Sequence, residues 1–171
     1  KSSRMGSDKS LLTLPNSDWS LLHHCQKQLA LVCDNRVFIS GSGHNQGIVD
    51  LIPDCGPLSG IHAVIIHLQT HQPSITELLV AAVDMPDVSL DDYDFLLEKG
   101  RNSHSLCSFI NCFLPLYIPL TDELTEYLEK HLKPQDDGAL LYSKKHQYSV
   151  KNMLASLKGV QLPPLIETRL A

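Results

Sequence analysis

Residues 78–83 read LLVAAV, an unbroken apolar run that stops at Asp84-Met85-Pro86. A strand turns successive side chains to opposite faces, so a strand apolar throughout needs both faces covered. The pattern of the run is that of a central parallel strand with helices on either side. A carboxylate directly after such a strand stands at the edge where open α/β sheets bind their ligands.

The rest of the chain supplies elements to surround that strand. Residues 18–32 carry Leu21, Leu22, Cys25, Leu29 and Val32 at helical spacing, with Ser17 or Asp18 as N-cap. Residues 57–72 put Leu58, Ile61, Ile65 and Leu68 on one helix face, with Pro57 in the first turn and Pro73 ending the run. Residues 89–100 combine a cap, the face Tyr93, Leu96 and Leu97, and a glycine stop; 121–132 and 149–158 repeat the arrangement, the latter ending at Gly159. Further strands are expected at 36–40 (RVFIS), at 47–52, and at 106–110 and 113–118, the last two joined at Asn111-Cys112. The polar stretch 133–147 reads as a mobile insertion. Strands alternating with helices predict an α/β fold, a doubly wound, mostly parallel sheet with helices on both faces, and a length of 171 residues fits one domain.

Charge narrows the partners. A net charge of -5 attracts neither nucleic acid nor an anionic membrane, so a phosphate-bearing ligand has to be held by a local cluster. The apolar runs fall short of the about 20 residues that span a bilayer, and no signal-peptide pattern is visible. Cys25, Cys33, Cys55, Cys107 and Cys112 are odd in number and lack CxxC spacing, which points to buried, reduced thiols in a cytoplasmic protein. His67 and His71 lie four apart on a helix without a third ligand at metal-site spacing, so no metal is assigned to histidine.

Three stretches carry residues suited to phosphate chemistry. The opening KSSRMGSDK offers Arg4 and Lys9 as phosphate donors and Gly6 for close backbone approach; a solvated basic tail has the same composition. Asp84 is placed to bridge a divalent cation to a phosphate, or to cap the turn before Pro86. DLIPDCGPLSG, residues 50–60, is a loop with two acids and then a helix start with two glycines; a plain strand-to-helix connection accounts for it equally well.

Taken in order and at these separations, RMGSDKSLL, DLIPDCGPLSGI and LLVAAVDMP resemble the three signature segments of the molybdenum cofactor guanylyltransferases, the MobA family. The resemblance covers roughly residues 1–160, more loosely at FLPLYI with LTEYL and at SVKNMLASLKGVQL. In that family the loop reads L-A-G-G before the stretch that begins here at Lys1, and the chain commonly closes with N-x-N-T-P-x-D-L. The resemblance therefore implies a Rossmann-like nucleotidyltransferase domain over residues 1–171, lacking its first strand, its Gly-Gly loop and its last segment. A further departure is Ser40, where the family often has an asparagine touching the nucleotide.

The activity implied is transfer of GMP from GTP to molybdopterin or its molybdenum form, with release of pyrophosphate. Lys9, Asp84 and Arg4 would be catalytic, with Mg2+ on Asp84; Lys9, Gly6, Ser40, Asp50, Gly56 and Asp84 would bind the nucleotide. GTP, molybdopterin and molybdoenzyme-maturation proteins are the implied partners. No general base is needed, since a phosphate nucleophile is already ionised at neutral pH. Two alternatives stay open: a related nucleotidyltransferase using CTP or a sugar 1-phosphate, and a non-catalytic homologue that escorts the cofactor. The Asp8-Lys9 pair favours the guanylyl family over the first, and the presence of Lys9 and Asp84 speaks against the second.

Overall fold

Leu58, Ile61, Ile65 and Leu68 recur at helical spacing behind Pro57, which is suited to a first turn because its missing N–H has no intrahelical partner there. They form helix α2, Pro57–His71, and all four are buried. A computed structural model describes residues 9–14, 18–41, 43–44, 47–53, 55–132 and 149–165 of the chain. The polar stretch 133–147 and the opening residues 1–8 lie outside the described residues.

Helix α1 is Leu21–Val32. It starts where the apolar spacing does, at Leu21 and not at residue 18, because Ser20, in place of the expected Ser17 or Asp18, is the cap, its hydroxyl accepting from the His23 N–H at 3.2 Å. Helix α3, Leu90–Ser103, opens with a capping box in which Ser89 and Asp92 satisfy each other's backbone N–H groups. The expected stop at Gly100 is corrected: the helix runs on to a left-handed His104, and Gly100 is a packing position. A Cβ there would lie 2.1 Å from Cδ1 of Tyr117, whose ring fills the place of a side chain. Helix α4 is Asp122–His131, capped by Thr121, and α5 is Val150–Ser156, capped by Ser149.

The strands are β1 Glu77–Val80, β2 Cys107–Phe109, β3 Cys112–Pro119 and β4 Val160–Leu162, in the spatial order β1-β3-β2-β4. Both β1 and β2 run antiparallel to β3, and β4 runs parallel to β2. Among the described residues the sheet is thus mixed, not mostly parallel, and β1 stands at one end of it instead of the centre. The physical reason lies in the connection between β2 and β3: Ile110 and Asn111, the latter left-handed at φ 61°, are far too few for the crossover that parallel neighbours need. The β-branched stretch 36–40 and residues 47–52 do not form strands either, meeting only in a single parallel bridge between Ser40 and Ile48.

Both faces of the sheet are nevertheless covered. Leu116 and Ile118 of β3 pack with Leu58, Ile61 and Ile65 of α2, Leu124 and Leu128 of α4, and Met153 of α5. Tyr117 points the other way, to Leu96 and Leu97 of α3, with Val32 of α1 at the margin. On β1, Leu78 and Val80 join the first cluster and Leu79 the second. This three-layer arrangement explains the two-sided apolarity of the run at 78–83, although residues 81–83 lie beyond the strand itself.

Candidate functional site

The chain leaves α1 and runs through residues 36–39, outside any helix or strand, to Ser40, where two backbone bonds fix its course. Ile48 N–H donates to the Ile39 carbonyl and Gly41 N–H to the Ile48 carbonyl, both at 2.8 Å. The return between them is tight. Gly47 lies so close to the Gly41 carbonyl that a Cβ would stand 2.2 Å from its oxygen. Bringing the two segments side by side sets Ser40 against Asp50, and the serine hydroxyl donates to Oδ1 at 3.5 Å.

The next segment is fastened to α2. Ser59, fully buried in the first turn, donates its hydroxyl to the Ile52 carbonyl. Gly56 takes φ 62° and ψ -148° as the residue before the helix, a conformation that a side chain would strain, and no side chain caps it. Gly60 then meets the other two groups: a Cβ on it would lie 2.3 Å from Ser40 Oγ and 3.8 Å from Asp50 Oδ1. Ser40 is exposed and Asp50 half-buried, so the cluster is open to a ligand.

Asp84 is an exposed turn residue past the end of β1. Residues 72–76 connect α2 to β1, and Asp84 follows the carboxyl end of that strand, the kind of position at which α/β sheets bind ligands. Lys9 begins a single 3-10 turn, Lys9–Leu11, that packs on α1. Its side chain, and the whole of Arg4 and Gly6, lie outside the described residues.

The other polar clusters have structural causes. Glu77, at the opposite end of β1 from Asp84, accepts from Arg101 Nη2 at 2.6 Å and Nε at 3.0 Å, and from Tyr117 Oη at 2.9 Å. The Arg101 bond, with Tyr117 adding to it, holds the Glu77 carboxyl below its ordinary range against the opposing effect of burial. His67 and His71 stack at 4.5 Å, His71 Nδ1–H donating to the His67 carbonyl, and no group of three or more His, Cys, Asp or Glu suited to a metal occurs among the described residues. All five cysteines are free thiols; burial pushes Cys25 up to about 11 and raises Cys107 as well, which makes both poor nucleophiles. No described helix is long and apolar enough to cross a membrane.

A family model described as MobA-like NTP transferase domain matches residues 1–149, a span that holds the Ser40, Asp50 and Gly60 cluster and Asp84 together. The chain belongs to this family. Among proteins similar to this MobA-like domain is one from Xanthomonas euvesicatoria pv. vesicatoria named "Molybdenum cofactor guanylyltransferase", 35% identical over 129 residues, 75% of this chain and 64% of the relative. Another, from Rhodopirellula baltica and named "Probable molybdenum cofactor guanylyltransferase", is 31% identical over 114 residues, 60% of this chain and 53% of the relative. The MobA-like chain thus spans about half to two thirds of the length of these relatives. No solved structure matches it significantly.

Of the residues singled out from the MobA resemblance, the fold brings Ser40 and Asp50 into contact, sets Gly56 at the start of the adjoining helix, and carries Asp84 on a separate turn. Gly60, which ends the loop from Gly56 that the resemblance makes a place of close nucleotide approach, is not among the site residues named singly. Its contact with Ser40 joins positions 20 apart in sequence, and no local pattern announces such a pairing.

Proposed function

We propose that this chain is a nucleotidyltransferase domain over residues 1–171 that transfers GMP from GTP to molybdopterin or its molybdenum form, in the cytoplasm. The observation that carries the reading is the match of residues 1–149 to the MobA-like NTP transferase family, supported by the names of both relatives. A doubly wound core like that of the family would require further parallel pairing beyond the described strands.

In the reaction, an oxygen of the acceptor's terminal phosphate forms a bond to the α-phosphorus of GTP. The bond from that phosphorus to the bridging oxygen breaks, and its electron pair leaves with pyrophosphate. The acceptor is already ionised, so no side chain has to remove a proton, and the protein's tasks are alignment and charge stabilisation. Lys9 and Arg4 neutralise phosphate oxygens, and Gly6 lets the backbone approach them. Asp50 and Ser40 hold the nucleoside, beside the unhindered backbone of Gly56.

Asp84 suits Mg2+. Its carboxylate is exposed on a turn, and Mg2+ is commonly held by only one or two carboxylates, with water and substrate phosphate completing its shell. When bound, the ion supplies positive charge to the phosphate oxygens.

Titration of the full-length protein with GTP, CTP and ATP in the presence of Mg2+ tests the reading. GTP should bind most tightly; equal or tighter binding of CTP would transfer the assignment to a cytidylyltransferase.

A further inference from the structure

Alanine is a better helix former than glycine, so the helical backbone of α2 gives no reason for glycine at position 60. Space does. A Cβ there would lie 2.3 Å from Ser40 Oγ and 3.2 Å from Ser40 Cβ, contacts that real Cβ atoms essentially never show or show rarely. The missing side chain is a slot, and the Ser40 hydroxyl occupies it while donating to Asp50 Oδ1. The neighbouring contacts leave the slot little freedom. Ser40 lies between the backbone bonds of Ile39 and Gly41 to Ile48, and Ser59, next to Gly60, is tied by its hydroxyl to Ile52, two residues past Asp50.

We propose that Gly60 is a positioning residue of the nucleotide site: its bare Cα seats Ser40, and Ser40 thereby sets the orientation of the Asp50 carboxylate. With Oδ1 engaged by the serine, Oδ2 is presented to an N–H or O–H donor of the nucleoside. The role rests on the reading of Asp50 as a nucleoside contact. It predicts that stability and affinity separate in a way that simple packing does not produce.

The experiment compares wild type, Gly60→Ala, Ser40→Ala and the double variant in the full-length protein, reading melting temperature and calorimetric GTP affinity in Mg2+. Gly60→Ala should lower the melting temperature and weaken GTP binding by tenfold or more. Ser40→Ala should weaken GTP binding with little change in melting temperature. The double variant, relieved of the clash with Oγ though not of the 3.2 Å approach to the Cβ of residue 40, should regain most of the lost melting temperature while its GTP affinity stays at the Ser40→Ala level. Wild-type affinity in Gly60→Ala, in Ser40→Ala or in the double variant overturns this role alone. A wild-type protein that binds no GTP overturns the nucleotide reading and this role with it.

Discussion

Glu77 shows how a single carboxylate joins three elements, because its partners Arg101 and Tyr117 come from α3 and β3 while it opens β1. Two-pronged contact with a guanidinium is a strong geometry, yet the Arg101 side chain is 56% exposed and solvent screens the pair. Replacing Glu77 by Gln should therefore cost only about 1 kcal/mol near neutral pH. The sign of the pH effect follows from the depressed carboxyl. Its contribution is complete above the range where an unfolded glutamate titrates, about 4.3, and is lost as pH falls through the lower folded value. Urea denaturation of wild type and Glu77→Gln across this window should show two curves converging in acid. A gap that stays constant or widens in acid would show that the charge is not what stabilises the site.

At the scale of elements, the capping box of α3 is the clearest local device. Asp92 is only 1% exposed and accepts from both the backbone N–H and the hydroxyl of Ser89, at 2.9 and 2.6 Å. Ser89→Ala removes the cap of the Asp92 N–H and one donor to its carboxylate, so denaturation should show a loss of about 1 kcal/mol at an unchanged denaturant slope. No measurable loss would mean that α3 is held by its packing alone. Helices such as α2, α3 and α4 were legible because caps and apolar spacing are local signals. Gly100 was misread as a stop because its reason is the Tyr117 ring, which arrives from another element. Residues 36–40 have strand composition, but pairing depends on a neighbour, and Phe38 finds its company in the ring of His67. The sheet's direction was also latent in the sequence. A turn at Asn111 forces antiparallel neighbours, whereas the two-sided apolarity of residues 78–83 records only that both faces are covered.

For the molecule as a whole, layers of helix on both faces of the sheet leave polar chemistry to its edges, and a net charge of -5 leaves phosphate recognition to local groups. The candidate site was legible as separate segments, since Asp50 lies within a predicted strand, Gly56 directly precedes a predicted helix and Asp84 directly follows the apolar run. The contact that unites Ser40, Asp50 and Gly60 is a product of the fold and was not. The proposed role of this edge is to transfer a nucleotide, with Asp84 holding the Mg2+ that would oppose the growing negative charge on the phosphate oxygens. The direct measurement is pyrophosphate release by the full-length protein from GTP, Mg2+ and molybdopterin, with Asp84→Asn beside wild type. Asparagine keeps the size and removes the charge, so turnover should fall by roughly 100-fold or more, on the order of 3 kcal/mol of transition-state stabilisation. An Asp84→Asn protein that melts like wild type and releases pyrophosphate at a similar rate would contradict the account and leave Asp84 as a turn residue before Pro86.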